Sequence, residues 1–292
     1  MKTGSRYGVH RVISPQGVLP QAAELIDNTM EIYNNELLID VLTLNIDSAS
    51  FTQLKQVNNN DREKMAEMIK DIVGKRGKMQ NPITGSGGML IGVVKEIGPD
   101  FPDKNLKVGD KIATLVSLTL TPLRIKKIKE IKLDTDQVDI EGEAILFASG
   151  IYSVIPSDMP EKLALAALDV AGAPAQVKKL VKEGDSVAIL GAAGKSGILC
   201  CYQAMKQIGK TGRVIAVVRS EKRKQELLDL GYVTDIAIAD ITNTVQVYEE
   251  VLKANNGKEV DVTINVVNIP NTEMSSILIT KPSGVVYFFS MA

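Results

Sequence analysis

The spacing of hydrophobic positions changes near residue 160. From about residue 30 to 157 the apolar runs are short and broken by Gly, Pro, Asn and Asp, as in EIYNNELLIDVLTLNID, MLIGVVKEIG, DKIATLVSL and QVDIEGEAILF. Such runs predict an irregular, mostly β domain. One interruption, NDREKMAEMIKDIVGKRG, places Met65, Met68, Ile69 and Ile72 on one helical face. It predicts an inserted helix packed on a core, with a methionine-lined ligand groove as the alternative.

Beyond residue 160, strands alternate with amphipathic helices. SVAIL (186–190) leads into a helix from Ser196 to about Ile208, and RVIAVV (213–218) into one ending near Leu230 and Gly231. DIAIA (235–239), a helix around Val245 to Ala254, VDVTINVV (260–267) and GVVYFF (284–289) complete the series. Strands of nearly continuous Val, Ile and Ala are those of a parallel sheet covered by helices on both faces. The expected fold class is therefore α/β: a doubly wound, Rossmann-type sheet over 161–292, preceded by a mostly β domain over 1–160. Such a sheet would keep GVVYFF in its interior, so a further C-terminal segment is expected to complete the fold.

Composition narrows the function classes. Hydrophobic residues make up 45% of the 292, enough for packed cores, and 34 Lys and Arg balance 35 Asp and Glu. That balance leaves no basic field for a nucleic acid or an anionic membrane. No apolar run reaches the roughly 18 residues of a membrane span, and MKTGSRYGVHRVISP lacks the apolar stretch of a signal peptide, so the expected location is the cytoplasm. Cys200 and Cys201, the two cysteines, are neighbours on a predicted helix and point different ways, which reads as core packing. His10 is the single histidine and is expected to be structural.

The chemistry concentrates where SVAIL meets Gly191-Ala192-Ala193-Gly194-Lys195-Ser196-Gly197 and a helix begins. Glycines there permit a tight turn, close approach of a diphosphate, and close packing of helix on strand, while the helix start offers unpaired N–H groups. The turn predicts dinucleotide binding by Gly191, Ala193, Gly194, Lys195, Ser196 and Gly197, with Val267 at a neighbouring strand end; packing glycines without function are the alternative. A nucleoside triphosphate loop fails on spacing, because its first glycine would fall at Ile189. At the second strand end Arg219, Ser220 and Arg223 cluster with no acid at the tip, which favours the 2′-phosphate of NADP. A solvated basic helix start is the alternative reading, and Glu221 keeps NAD open.

Together the two halves resemble the medium-chain dehydrogenase/reductase superfamily, whose first domain is GroES-like. The resemblance rests on Gly87-Gly88-Met89-Leu90-Ile91-Gly92-Val93-Val94-Lys95-Glu96-Ile97-Gly98, followed by Leu106-Lys107-Val108-Gly109-Asp110-Lys111-Ile112 and the glycine turn. Zinc members of that superfamily hold metal through a cysteine, a histidine and a later cysteine or acid. The matching places here are Asp47, Gly88 and Asp169, with no four-cysteine lobe, so no zinc is expected. More narrowly, YGVHRVISPQGVLPQ, IDNTMEIYNNE, TLNIDSASFTQL and PITGSGGMLIG resemble the L-erythro-3,5-diaminohexanoate dehydrogenases of lysine fermentation.

That resemblance implies an amine dehydrogenase that deaminates a small diamino acid to 5-amino-3-oxohexanoate and ammonia with NAD or NADP. It places Asp47 and Asp169 at the substrate cleft, either one serving as the base that removes a proton from the reacting ammonium, with Asn45, Ser48 and Tyr152 orienting the substrate. The alternatives are structural: Asp47 capping a helix that starts at Ser48, and Asp169 capping a turn before Ala171-Gly172-Ala173. A zinc-independent quinone or enoyl reductase, and a non-catalytic NAD(P)H-binding relative, remain as other functions. Superfamily members commonly pair edge strands across a two-fold axis, so a homodimer is expected, with VVYFF as its candidate edge.

Overall fold

The computed structural model describes residues 2–289, and the chain divides into two compact units, Met1–Leu165 and Ala166–Ala292. In the first unit a small antiparallel pair, β1 (Val12–Ser14) and β2 (Leu25–Ile26), precedes a six-stranded antiparallel sheet. That sheet comprises β3 (Leu37–Ile46), β4 (Gly88–Ile97), β5 (Lys111–Thr114), β6 (Leu123–Lys132), β7 (Gln137–Leu146) and β8 (Tyr152–Val154) in the order β6-β7-β3-β4-β5-β8. Between β3 and β4 lie two helices, α1 (Ser48–Val57) and α2 (Arg62–Arg76). Alternate residues of β3, among them Leu37, Ile39 and Val41, enter a core shared with Phe51 and Leu54 of α1. Met65, Ile69 and Ile72 of α2 are buried in the same core and Met68 packs against it, so the helical face read from the sequence is a packing face.

The edge strand β6 follows a different rule. Ile125 and Ile128 are half covered, whereas Arg124, Lys126, Lys127 and Lys129 are exposed on a strand that, among the described residues, pairs with β7 alone.

The unit boundary falls within α3 (Glu161–Leu168), and α4 (Gly172–Leu180) is the first helix wholly inside the second unit. Its parallel sheet comprises β9 (Ser186–Leu190), β10 (Arg213–Val218), β11 (Asp235–Ile238), β12 (Val260–Asn265) and β13 (Thr280–Phe288), ordered β11-β10-β9-β12-β13. Helices α5 (Lys195–Gln207), α6 (Glu221–Leu230), α7 (Thr244–Ala254) and α8 (Glu273–Leu278) connect them. Val187, Ile189, Val214 and Ala216 pack into one apolar cluster, while Ala188, Leu190, Ile215 and Val217 pack into another. Successive residues thus serve opposite faces, which is why the run of aliphatic side chains has no polar interruption.

The sheet reverses its order at β9 and β12, and a crevice outside the strand ends at such a reversal is where open α/β sheets bind ligands. Among the described residues β13 pairs only with β12. Val285 and Phe288 are accordingly exposed rather than covered.

Candidate functional site

In the second unit β9 delivers the chain to Gly191, and the turn closes with the Gly194 N–H donating to the Gly191 carbonyl at 3.0 Å. Gly197, on the first turn of α5, lies against that loop: a Cβ here would stand 2.2 Å from the Gly191 oxygen and 2.5 Å from the Ala192 Cα. Helix and turn can approach this closely only without a side chain. Among the described residues the N–H groups of Lys195, Ser196 and Gly197 have no acceptor, and Gly194 caps the helix without a side chain. These are the orphan donors of a helix start, the arrangement that accepts a phosphate.

Beside them lies an open cavity of about 580 Å³. It is lined by Gly191, Ala193 and Gly194 of the turn, Val217 to Ser220 and Arg223 at the end of β10, and Val267 after β12. The structure thus brings Gly191, Ala193, Gly194, Arg219, Ser220, Arg223 and Val267 together around one space, while Lys195, Ser196 and Gly197 begin the helix next to it. Asp240, Ile241, Thr242 and Ile269 also line the cavity and escape the sequence reading. The signal that could have found Asp240 is its place just past β11, since strand ends of such a sheet converge.

Ser220 caps α6 with no side-chain hydrogen bond, and the Arg219 guanidinium acts on the Asp240 carboxylate through its charge. Arg223 is bound to Glu226 at 2.5 Å. The N–H and hydroxyl of Thr242 hold the Asp240 carboxyl below its usual range, with a smaller contribution from Arg219. The Arg219 guanidinium, the Ser220 hydroxyl and the Asp240 carboxylate thus border one cavity at the ends of the second and third strands.

Asp47 links β3 to α1. Its Oδ1 accepts the N–H groups of Ala49 and Ser50 at 3.1 and 3.2 Å, so it does cap the helix. Its Oδ2 is buried and has no hydrogen-bond partner. The cap fixes the carboxylate and leaves one oxygen unclaimed. The following loop is locked beside it: the buried Ser50 hydroxyl lies 2.6 Å from both the Thr84 and the Ser86 hydroxyls, and the Asp47 N–H donates to the Gly87 carbonyl at 3.3 Å. Gly88 has φ +114°, and a Cβ on it would stand 2.0 Å from the Asn45 carbonyl oxygen. A side chain is therefore excluded at Gly88, beside Asp47.

The other candidates are placed as follows. Asn45 is buried on β3, and Ser48 donates to Asp136 at 3.2 Å. The Tyr152 hydroxyl donates to Asp103 at 2.5 Å; burial and that bond push the tyrosine up, and the same bond holds Asp103 down. Asp169 does not cap α4, whose N-cap is Ala171 with no side-chain bond; its Oδ2 lies 3.3 Å from the Lys195 ammonium nitrogen. The capping alternative for Asp169 is thereby corrected.

His10 accepts the Ser5 N–H at Nδ1 and lies 2.9 Å from Glu36 at Nε2, so the neutral ring donates to Glu36. Arg11 pairs with the same carboxylate at 2.6 Å, both side chains being fully buried. Cys200 and Cys201 are on the buried side of α5, where burial pushes the Cys200 thiol up to about 12 and raises Cys201 as well. Among the described residues no three His, Cys, Asp or Glu side chains cluster as metal ligands, and no helix is long and apolar enough to cross a membrane.

Residues 10–156 match the family described as the L-erythro-3,5-diaminohexanoate dehydrogenase N-terminal domain. An L-erythro-3,5-diaminohexanoate dehydrogenase from Fusobacterium nucleatum is 64% identical over 100% of this chain and 85% of its own length. The chain belongs to the L-erythro-3,5-diaminohexanoate dehydrogenase family. A second member, from Acetoanaerobium sticklandii, is 62% identical over 99% of this chain and 84% of its own. Residues 197–292 of this diaminohexanoate dehydrogenase family member match the family described as zinc-binding dehydrogenase. Among solved structures, a mycobacterial protein complexed with NADPH aligns at TM-score 0.58 and 18% identity, covering 93% of this chain and 70% of that one. At that identity it shows the shared medium-chain dehydrogenase fold.

Proposed function

We propose that the protein oxidatively deaminates L-erythro-3,5-diaminohexanoate to 5-amino-3-oxohexanoate and ammonia with a nicotinamide coenzyme, without zinc. The observation that carries this reading is the identity of 62 to 64% with two diaminohexanoate dehydrogenases over nearly the whole chain. When bound, the coenzyme supplies the hydride acceptor. The turn at Gly191–Gly197 holds its diphosphate, and Arg219 and Ser220 favour NADP by offering a cation and a hydroxyl to a 2′-phosphate.

A protonated amine cannot release hydride from its carbon, so a base must first take one proton from the 3-ammonium. Asp47 is proposed as that base, since its capped Oδ1 fixes the group and its Oδ2 is unclaimed. Hydride loss from the neutral amine leaves an iminium; water adds to it, and ammonia departs with the ketone formed. The overall balance is one ammonium substrate, oxidised coenzyme and water consumed, and one ketone, ammonium, reduced coenzyme and proton released. The zinc-free reading is supported by Gly88, where no donor can stand, by His10 committed to Glu36, and by both cysteines lying in a core.

The test is reduced-coenzyme absorbance with the diamino acid and NAD or NADP, on protein assayed for zinc. Coenzyme reduction with metal-free protein is expected. Reduction of quinones in place of amine oxidation would overturn the reading.

A further inference from the structure

Lys195 is the first residue of α5, where a positive side chain meets the positive end of the helix dipole. A cation in that place needs an anion close by, and Asp169 supplies it: Oδ2 lies 3.3 Å from the Lys195 nitrogen. The pair is longer than the 2.6 Å bridge of Arg11 with Glu36, and its side chains are 56% and 27% exposed. Partly solvated pairs of this length are weak. Three backbone donors at the same helix start, from Lys195, Ser196 and Gly197, have no acceptor at all. Asp169 in turn caps nothing and has no other ion-pair partner among the described residues.

We propose that Lys195 is a diphosphate ligand held in reserve by Asp169, so that coenzyme binding takes the lysine and frees the aspartate. The proposal rests on the dinucleotide reading of the glycine turn and adds a coupling between coenzyme and substrate to it. A diphosphate carries two negative charges and also satisfies the idle N–H groups, so it outcompetes a single half-exposed carboxylate for the ammonium. Released, the Asp169 carboxylate is a free anion, suited to an ammonium group of the substrate. Bound coenzyme therefore strengthens the attraction of the site for its dicationic, singly anionic substrate, by the same few-fold factor that one exposed ion pair supplies.

The test is calorimetric titration of ADP-ribose, which carries the diphosphate without the nicotinamide, into the full chain and into Lys195→Met, Asp169→Asn and the double variant. Asp169→Asn removes the competitor and is expected to tighten ADP-ribose about two- to five-fold, the range of one exposed ion pair. Lys195→Met weakens binding, and adding Asp169→Asn to it changes nothing further. Adenosine, which has no phosphate, is expected to bind Asp169→Asn and the unsubstituted protein alike.

Equal tightening with and without Lys195 would make Asp169 a mere background charge and overturn the proposal, as would tightening of adenosine. Failure of ADP-ribose to bind the unsubstituted protein would instead bring down the dinucleotide reading itself.

Discussion

Lys78 is fully buried, with its ammonium donating to the Pro20 carbonyl at 2.6 Å and the Gln21 carbonyl at 3.2 Å. Burial, with a smaller push from the nearby Arg76, lowers its pKa from 10.5 to about 8. The folded state thus gives up this proton more readily than the unfolded chain does. Stability contributed by the group rises with pH between about 8 and 10.5, and below about 8 the whole penalty of carrying a buried charge is present. That shift corresponds to roughly 3 kcal/mol near neutrality.

Lys78→Met removes the penalty but leaves the Pro20 carbonyl without its donor, a loss of about 1–3 kcal/mol. The Gln21 carbonyl keeps the Gln80 amide. The variant should therefore match or exceed the wild type at about pH 7 and fall below it at about pH 10, the gap moving by roughly 2.5 kcal/mol between them. Urea denaturation of both proteins at the two pH values reads this directly, because every other titrating group cancels in the difference. A gap that stays constant with pH would show that the lysine is not titrating in the fold and would refute the argument.

Asp47→Asn keeps a good helix cap but removes the proposed base, so turnover of the diamino acid should fall at least about 100-fold with little change in melting temperature. Unchanged turnover would remove Asp47 from the chemistry. Arg219→Ala should weaken NADPH about ten-fold or more and NADH far less, read by the fluorescence of the bound coenzymes. Equal losses would argue against a 2′-phosphate site. Burial raises the Glu36 carboxyl, but bonds from Arg11, His10 and the Tyr33 N–H outweigh it and bring it to about 2. Its stabilisation is present above 4.5 and lost as pH falls from there to about 2, and Glu36→Gln, which strands the Arg11 charge, should cost about 3–5 kcal/mol in urea denaturation. Gly197→Ala should abolish ADP-ribose binding in calorimetry, since its methyl group would overlap the Gly191 carbonyl.

Much of the fold was legible because periodicity reports burial. The two-sided aliphatic runs of β9, β10 and β12 and the heptad-like spacing in α2 are each imposed by the core they enter. β6 was not picked out, because in LRIKKIKEIK the lysines obscure a weak alternation, and α3 and α4 were missed in a stretch rich in small residues. The cavity beside the glycine turn was half legible: the turn and the residues at Arg219 announce themselves locally, whereas Asp240 and Ile269 reach it only through the sheet order. The Arg11–Glu36–His10 cluster depends on contacts across 25 residues and leaves no local pattern. The double nature of Asp47, capping with one oxygen and idle with the other, was open in the sequence as two rival readings. The geometry makes them compatible.

The charged rim of β6 has a consequence for the protein in concentrated solution. Beyond Leu123, whose N–H and carbonyl are engaged by Gly77 and Asn28, such an edge strand offers peptide groups that a second sheet could stitch onto, and the exposed Lys127 and Lys129 repel any copy that approaches in register. Replacing Lys127 and Lys129 with threonines would spare the ion pairs that Arg124 and Lys126 make with the buried Glu143 and convert a self-limiting border into a seed for filaments.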